Sequence, residues 1–98
     1  MINKSVITDN LQECIVCGSK KQIEFHHVFF GSAKRKLSDK YKIIAPLCNY
    51  HHRGTNGIHG KNGKVLDTKL KQHAQRRAME YYDWDIDDFR RIFGKNYL

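Results

Sequence analysis

Cys14 and Cys17 form a Cys-x-x-Cys pair, and thirty residues later Cys48-Asn49-Tyr50-His51 repeats the same two-residue gap. Two thiolates at that spacing, with Gly18 permitting a tight turn behind them, reach a single metal ion. A structural zinc site needs four ligands, so Cys14 and Cys17 require two more. Cys48 supplies the third. His51 and His52 both stand close enough to supply the fourth, and the repeated gap favours His51. Such a site forces two distant stretches of chain together. The competing assignment, one disulfide with a spare thiol or three buried thiols, sits poorly with an odd cysteine count in a reducing compartment.

Composition makes a staple necessary. The chain has 98 residues, of which 40% are hydrophobic. That length is expected to make one domain spanning residues 1–98, near the lower limit for a self-sufficient core. The formal net charge of +8 suits a polyanionic partner, although a simply basic solvated surface would have the same charge. No apolar run approaches the ~18 residues of a membrane span, so no membrane partner is expected. No apolar signal-peptide core follows Met1-Ile2-Asn3-Lys4-Ser5. A cytoplasmic location with reduced cysteines is therefore expected.

Val6 to Leu11 admits either a short helix or a segment lying loosely on the domain. Ile23 to Phe30 is rich in aromatic and β-branched residues and reads as a strand. Gly31 to Lys40 is polar and basic and reads as a loop. Tyr41 to Ala45 reads as a second strand stopped by Pro46. Leu47 to Arg53 suits a short helix ended by Gly54, and Gly54 to Gly63 is a glycine-rich loop. From Leu66 the spacing becomes helical through Leu70, Ala74, Ala78 and Tyr81 or Tyr82, with Asp67 placed to cap the start. Asp83-Trp84-Asp85 breaks this helix. Asp85 can cap a last one carrying Ile86, Phe89, Ile92 and Phe93, ended by Gly94. The expected fold class is α+β: a zinc-stapled core over residues 14–60, supported by two helices in residues 64–98.

Five of the six histidines fall between Glu24 and Gly60. Adjacent His26 and His27 on a regular strand point to opposite faces. One can therefore bind a metal while the other accepts a proton from water nearby. Hydrolysis of a phosphodiester needs those two jobs done within a few ångströms of each other. His52 and His59 could add ligands from the helix and the loop behind it. The bland alternative for His26-His27 is a structural pair, one buried and one exposed.

The stretches CIVC, EFHHVFF and PLCNYHHRGTNGIHG together resemble an HNH nuclease of the ββα-metal type with a zinc-knuckle elaboration. The tail, LKQHAQRRAMEYY to FRRIFGKNYL, adds a likeness to small phage or prophage proteins of that family, including the phage recombination-enhancement, RecA-dependent nucleases. The resemblance implies a DNA endonuclease with His27 as general base. It also implies His26, His52 and His59 as ligands of a catalytic divalent ion such as Mg²⁺ or Mn²⁺. A recombinase–DNA filament would be a possible partner and the host cytoplasm the location. Two departures stand out. The family's middle asparagine, which braces the loop holding the base, is absent before Pro46, where Tyr41-Lys42-Ile43-Ile44 stands. Asp39 is the candidate replacement. His59 follows His52 after six residues that include two glycines, so it must come from a loop.

Lys34, Arg35, Lys36, Arg53, Arg76 and Arg77 are the candidate DNA contacts, reaching backbone phosphates with no base-reading element evident. They would serve equally well a non-catalytic, zinc-stabilised DNA-binding module, or a phage regulatory protein on a degenerate HNH fold. A two-Cys, two-His finger is excluded, because no suitably spaced His pair follows Cys17. A zinc deaminase is disfavoured because no His-x-Glu occurs.

Overall fold

The computed structural model describes residues 4–98. Six elements follow one another: β1 (Ile23–His27), α1 (Ser32–Lys40), β2 (Ile44–Cys48), α2 (Asn49–Arg53), α3 (Lys64–Tyr82) and α4 (Ile86–Phe93). The class is α+β. β1 and β2 pair antiparallel, with Ile23 opposite Cys48 and His27 opposite Ile44. No described helix is long and apolar enough to cross a membrane.

Several local assignments differ from the sequence reading. The basic stretch after Gly31 is a helix, α1, rather than a loop. Lys34, Arg35, Lys36 and Leu37 are good helix formers. Leu37 packs on the core, and the buried Ser38 hydroxyl donates to the Phe29 carbonyl at 2.7 Å while accepting the Phe29 N–H at 3.1 Å. The helix is thereby pinned to the chain just beyond β1.

β2 is also shifted: it starts at Ile44 and runs through Pro46 rather than stopping there. Pro46 faces Phe25 across the pair, and its carbonyl accepts the Ile15 N–H at 2.9 Å. Carbonyl and nitrogen of one strand residue point to the same side. The missing N–H of Pro46 therefore falls on the edge away from β1, and no ladder bond is lost. The third difference concerns Asp67. Gly63 occupies the cap of α3, which begins at Lys64, and Asp67 lies inside the first turn, paired with Lys71 Nζ at 3.0 Å. Asp85 does cap α4, through a reciprocal capping box with Asp88, and Gly94 ends that helix in the left-handed region.

The N-terminal segment is neither a helix nor loosely attached. The Val6 N–H donates to Lys42 O at 2.9 Å and the Ser5 hydroxyl to Ile44 O at 2.6 Å, which drives Val6 and Ile7 into the core. The centre of that core is Phe29, whose ring lies 4.8 Å from Phe93, 5.0 Å from Tyr97 and 5.4 Å from Phe89. α3 contributes Leu70, Ala74 and Ala78. Its fully buried Gln75 holds the C-terminal tail, donating to Asn96 Oδ1 and accepting the Tyr97 N–H, each at 2.8 Å. α2 packs against both strands of the hairpin, and Lys71 of α3 reaches Phe30 just beyond β1.

Candidate metal centres

The first cluster joins the two knuckles. Gly18 turns the first at φ 76°, a left-handed conformation that favours glycine. Its N–H bonds back to Cys14 O at 2.8 Å. The Ile15 N–H to Pro46 O bond then ties this turn to β2, whose last residue is Cys48. As a result Cys17 Sγ lies 3.8 Å from Cys48 Sγ, His51 Nδ1 lies 3.3 Å from Cys48 Sγ, and Cys14 Sγ lies 3.8 Å from His51 Nδ1. These are not disulfide distances; all three cysteines are free. Tetrahedral zinc with Zn–S of about 2.3 Å and Zn–N of about 2.0 Å would set its ligands about 3.5–3.8 Å apart. The four side chains have the spacing and chemistry of a zinc site.

Their electrostatics agree. Burial opposes ionisation of Cys14, but the backbone N–H groups of Cys48, Cys17 and Val16 outweigh it and hold the thiol below its usual value. The Ser19 backbone favours the Cys17 thiolate, whereas desolvation and the crowding sulfurs of Cys48 and Cys14 push that thiol up. Several sulfurs that cannot all ionise beside one another are what a bound cation relieves. His51, rather than His52, faces this cluster.

The second cluster is His26, His52 and His59, whose ligating nitrogens lie within 4.8 Å of one another. His26 comes from β1 and is 3% exposed. His52 comes from α2, directly after His51, so neighbouring residues of one five-residue helix serve the two clusters. His59 is returned by the glycine-rich loop: the N–H groups of Ile58 and His59 donate to the His51 and His52 carbonyls at 2.8 and 2.9 Å. This folding-back needs glycine. A Cβ at Gly60 would sit 1.9 Å from Gly54 O, and one at Gly63 would sit 1.8 Å from Gly57 O.

His26 Nε2 is buried with no hydrogen-bond partner among the described residues. Burial, with the neighbouring charges of His52, His59, His27 and Lys71, lowers the His26 pKa to about 3. Burial likewise lowers that of His59. An unpaired buried nitrogen costs about 1–3 kcal/mol, and a neutral imidazole with a free lone pair is the form that binds metal. The set therefore fits a divalent cation, and with only three ligands it leaves coordination positions open.

Glu24 organises His52. Its Oε1 lies 2.7 Å from His52 Nδ1 and 3.0 Å from Arg53 Nε. The His52 and Arg53 contacts hold the Glu24 carboxyl below its usual pKa, so Nδ1 must donate, leaving Nε2 as the lone-pair atom. A carboxylate behind a ligating histidine is the usual way its tautomer is fixed. Sequence reading did not single out Glu24, yet a signal existed: it lies two residues before His26 on β1 and hence on the same face. Asp67 was misassigned for a related reason. Its Oδ1 is buried without a partner among the described residues, and its charge acts on His59.

His27 turns to the other side, where Nε2 lies 3.5 Å from Asp39 Oδ1, the residue offered in place of the absent asparagine. Arg35 and Arg53 line the cleft of about 300 Å³ that holds His26, His27, His52 and His59. Lys36 lines the adjoining depression with His27 and Asp39. Lys34 does not line the cleft and instead reaches the Tyr97 hydroxyl at 3.3 Å. Arg76 and Arg77 lie on α3 outside the cleft lining, with Arg77 near Glu80.

No family model matches this chain, and neither does any curated protein or solved structure.

Proposed function

We propose that this protein is a metal-dependent DNA endonuclease of the HNH, ββα-metal type. The observation that carries the reading is the division of labour on β1: His26 joins a buried histidine triad, while its neighbour His27 stands beside Asp39 at the rim of the same cleft. A divalent ion such as Mg²⁺ or Mn²⁺ would stabilise charge developing on the scissile phosphate and its leaving oxygen. The chain's own residues supply the rest. Arg35 and Arg53 hold the phosphate. Asp39 faces His27 Nε2 and leaves Nδ1 to take the proton of the attacking water. The zinc knuckle holds α2 so that His52 keeps its place.

The likeness to phage recombination-linked nucleases supports DNA, free or coated by a recombinase, as the partner. The net charge of +8 agrees with a polyanion. Plasmid nicking by the zinc-loaded protein, with a panel of divalent ions, tests the reading. His27→Ala should abolish cleavage while zinc content and DNA affinity persist. If the unaltered protein cuts with none of these ions but still binds DNA, it is a zinc-stabilised binding module instead.

A further inference from the structure

The cleft that holds the histidines has aromatic lips. Phe25 and Phe30 both line it, and each is 40% exposed, so both rings are open to a ligand. Phe25 stands on β1 opposite Pro46. Phe30 is braced by Lys71, whose Nζ is 4.3 Å from the ring centroid, and by the rings of His26 and His59 at 5.6 and 5.4 Å. The charged groups beside them are Arg35, Arg53 and Lys71, and the nearby Glu24 carboxylate is already engaged by His52 and Arg53.

Aromatic faces beside guanidinium groups match a polyanion whose bases are free to stack. A duplex hides its base faces inside its own stack and offers such rings nothing, whereas an unpaired strand offers a base to each. We infer that the cleft binds unpaired nucleic-acid strands, with Phe25 and Phe30 as stacking platforms on either side of the phosphate held by Arg35 and Arg53. This inference deepens the nucleic-acid reading and rests on it, but it does not depend on cleavage.

Fluorescence anisotropy with the zinc-loaded protein, no other divalent ion added, separates the possibilities. The probes are an oligothymidylate, an abasic strand of equal length and charge, and a duplex; a gel run afterwards checks that they are intact. The oligothymidylate should bind at least about 10-fold tighter than the abasic strand. Phe30→Ala and Phe25→Ala should each weaken oligothymidylate binding by roughly 5- to 150-fold and leave abasic binding unchanged. Phe30→Leu, which keeps apolar bulk without the ring, should behave like the alanine variant, and Phe30→Tyr should restore binding. Equal affinity for thymidylate and abasic strands, or a duplex preference indifferent to both phenylalanines, overturns the inference. So does failure to bind any nucleic acid. A protein that passes this test yet cuts neither plasmid nor oligothymidylate with any divalent ion would refute the nuclease reading alone.

Discussion

His52 Nδ1 and the Glu24 carboxylate lie 2.7 Å apart, a contact that fixes which nitrogen of the imidazole faces the other two histidines. Glu24→Ala should therefore weaken divalent-ion binding at the triad by about 10- to 100-fold, the usual effect of losing a carboxylate behind a ligand. Calorimetric titration with Mn²⁺ measures it. Zinc content should stay unchanged, since Glu24 touches none of the knuckle residues.

Cys48→Ser should remove zinc and with it most of the fold. Binding at structural zinc sites is worth about 10–16 kcal/mol in apparent terms, comparable with the whole of the roughly 5–15 kcal/mol that holds a typical domain together. Elemental analysis and far-UV circular dichroism check the two halves of this expectation. A well-folded variant lacking zinc would show that the helices alone suffice.

His27→Ala should lower the cleavage rate by about 10²- to 10⁴-fold, the range for losing a general base. Mn²⁺ affinity should not change. Asp39→Asn should give a smaller loss confined to kcat, because Asp39 acts only through His27. A comparable fall in Mn²⁺ affinity for either variant would place these residues in the ligand set instead.

Acid should loosen α4. The Asp88 carboxyl is held below its usual 3.8, first by the Asp85 backbone N–H and then by the Arg91 side chain. A depressed folded-state pKa contributes stability that is present above the unfolded value and lost as pH falls through the folded one. The stability difference between the unaltered protein and Asp88→Ala should accordingly be full at neutral pH and shrink below about pH 4. Thermal melts across that window measure it.

How much of this was legible in the sequence differed by element. The spacing of Cys14, Cys17, Cys48 and His51 anticipated which side chains meet, because ligand gaps are local and few arrangements satisfy four of them. The cap at Asp85 was legible from local spacing too, though not its reciprocal partner Asp88. α1 was not, since its reason for folding is the buried Ser38–Phe29 bonding, a tertiary contact that a polar stretch does not advertise. β2 ran on through Pro46 because which edge a proline presents is settled only once the strands pair. His59 joins the triad through bonds from its loop to the end of α2, a closure that the glycines permit but do not announce.

His51 and His52 are neighbours on α2, so ions bound at both clusters would be thermodynamically linked. A five-residue helix has no stability of its own in water, so whichever cation arrives first bears the cost of ordering it, and the second binds a segment already in place. Such coupling is reciprocal: whatever factor the first ion adds to the affinity of the second is returned in full. Zinc starvation would then silence the histidine cleft through the loss of the fold that carries it, with every residue of the cleft chemically unaltered.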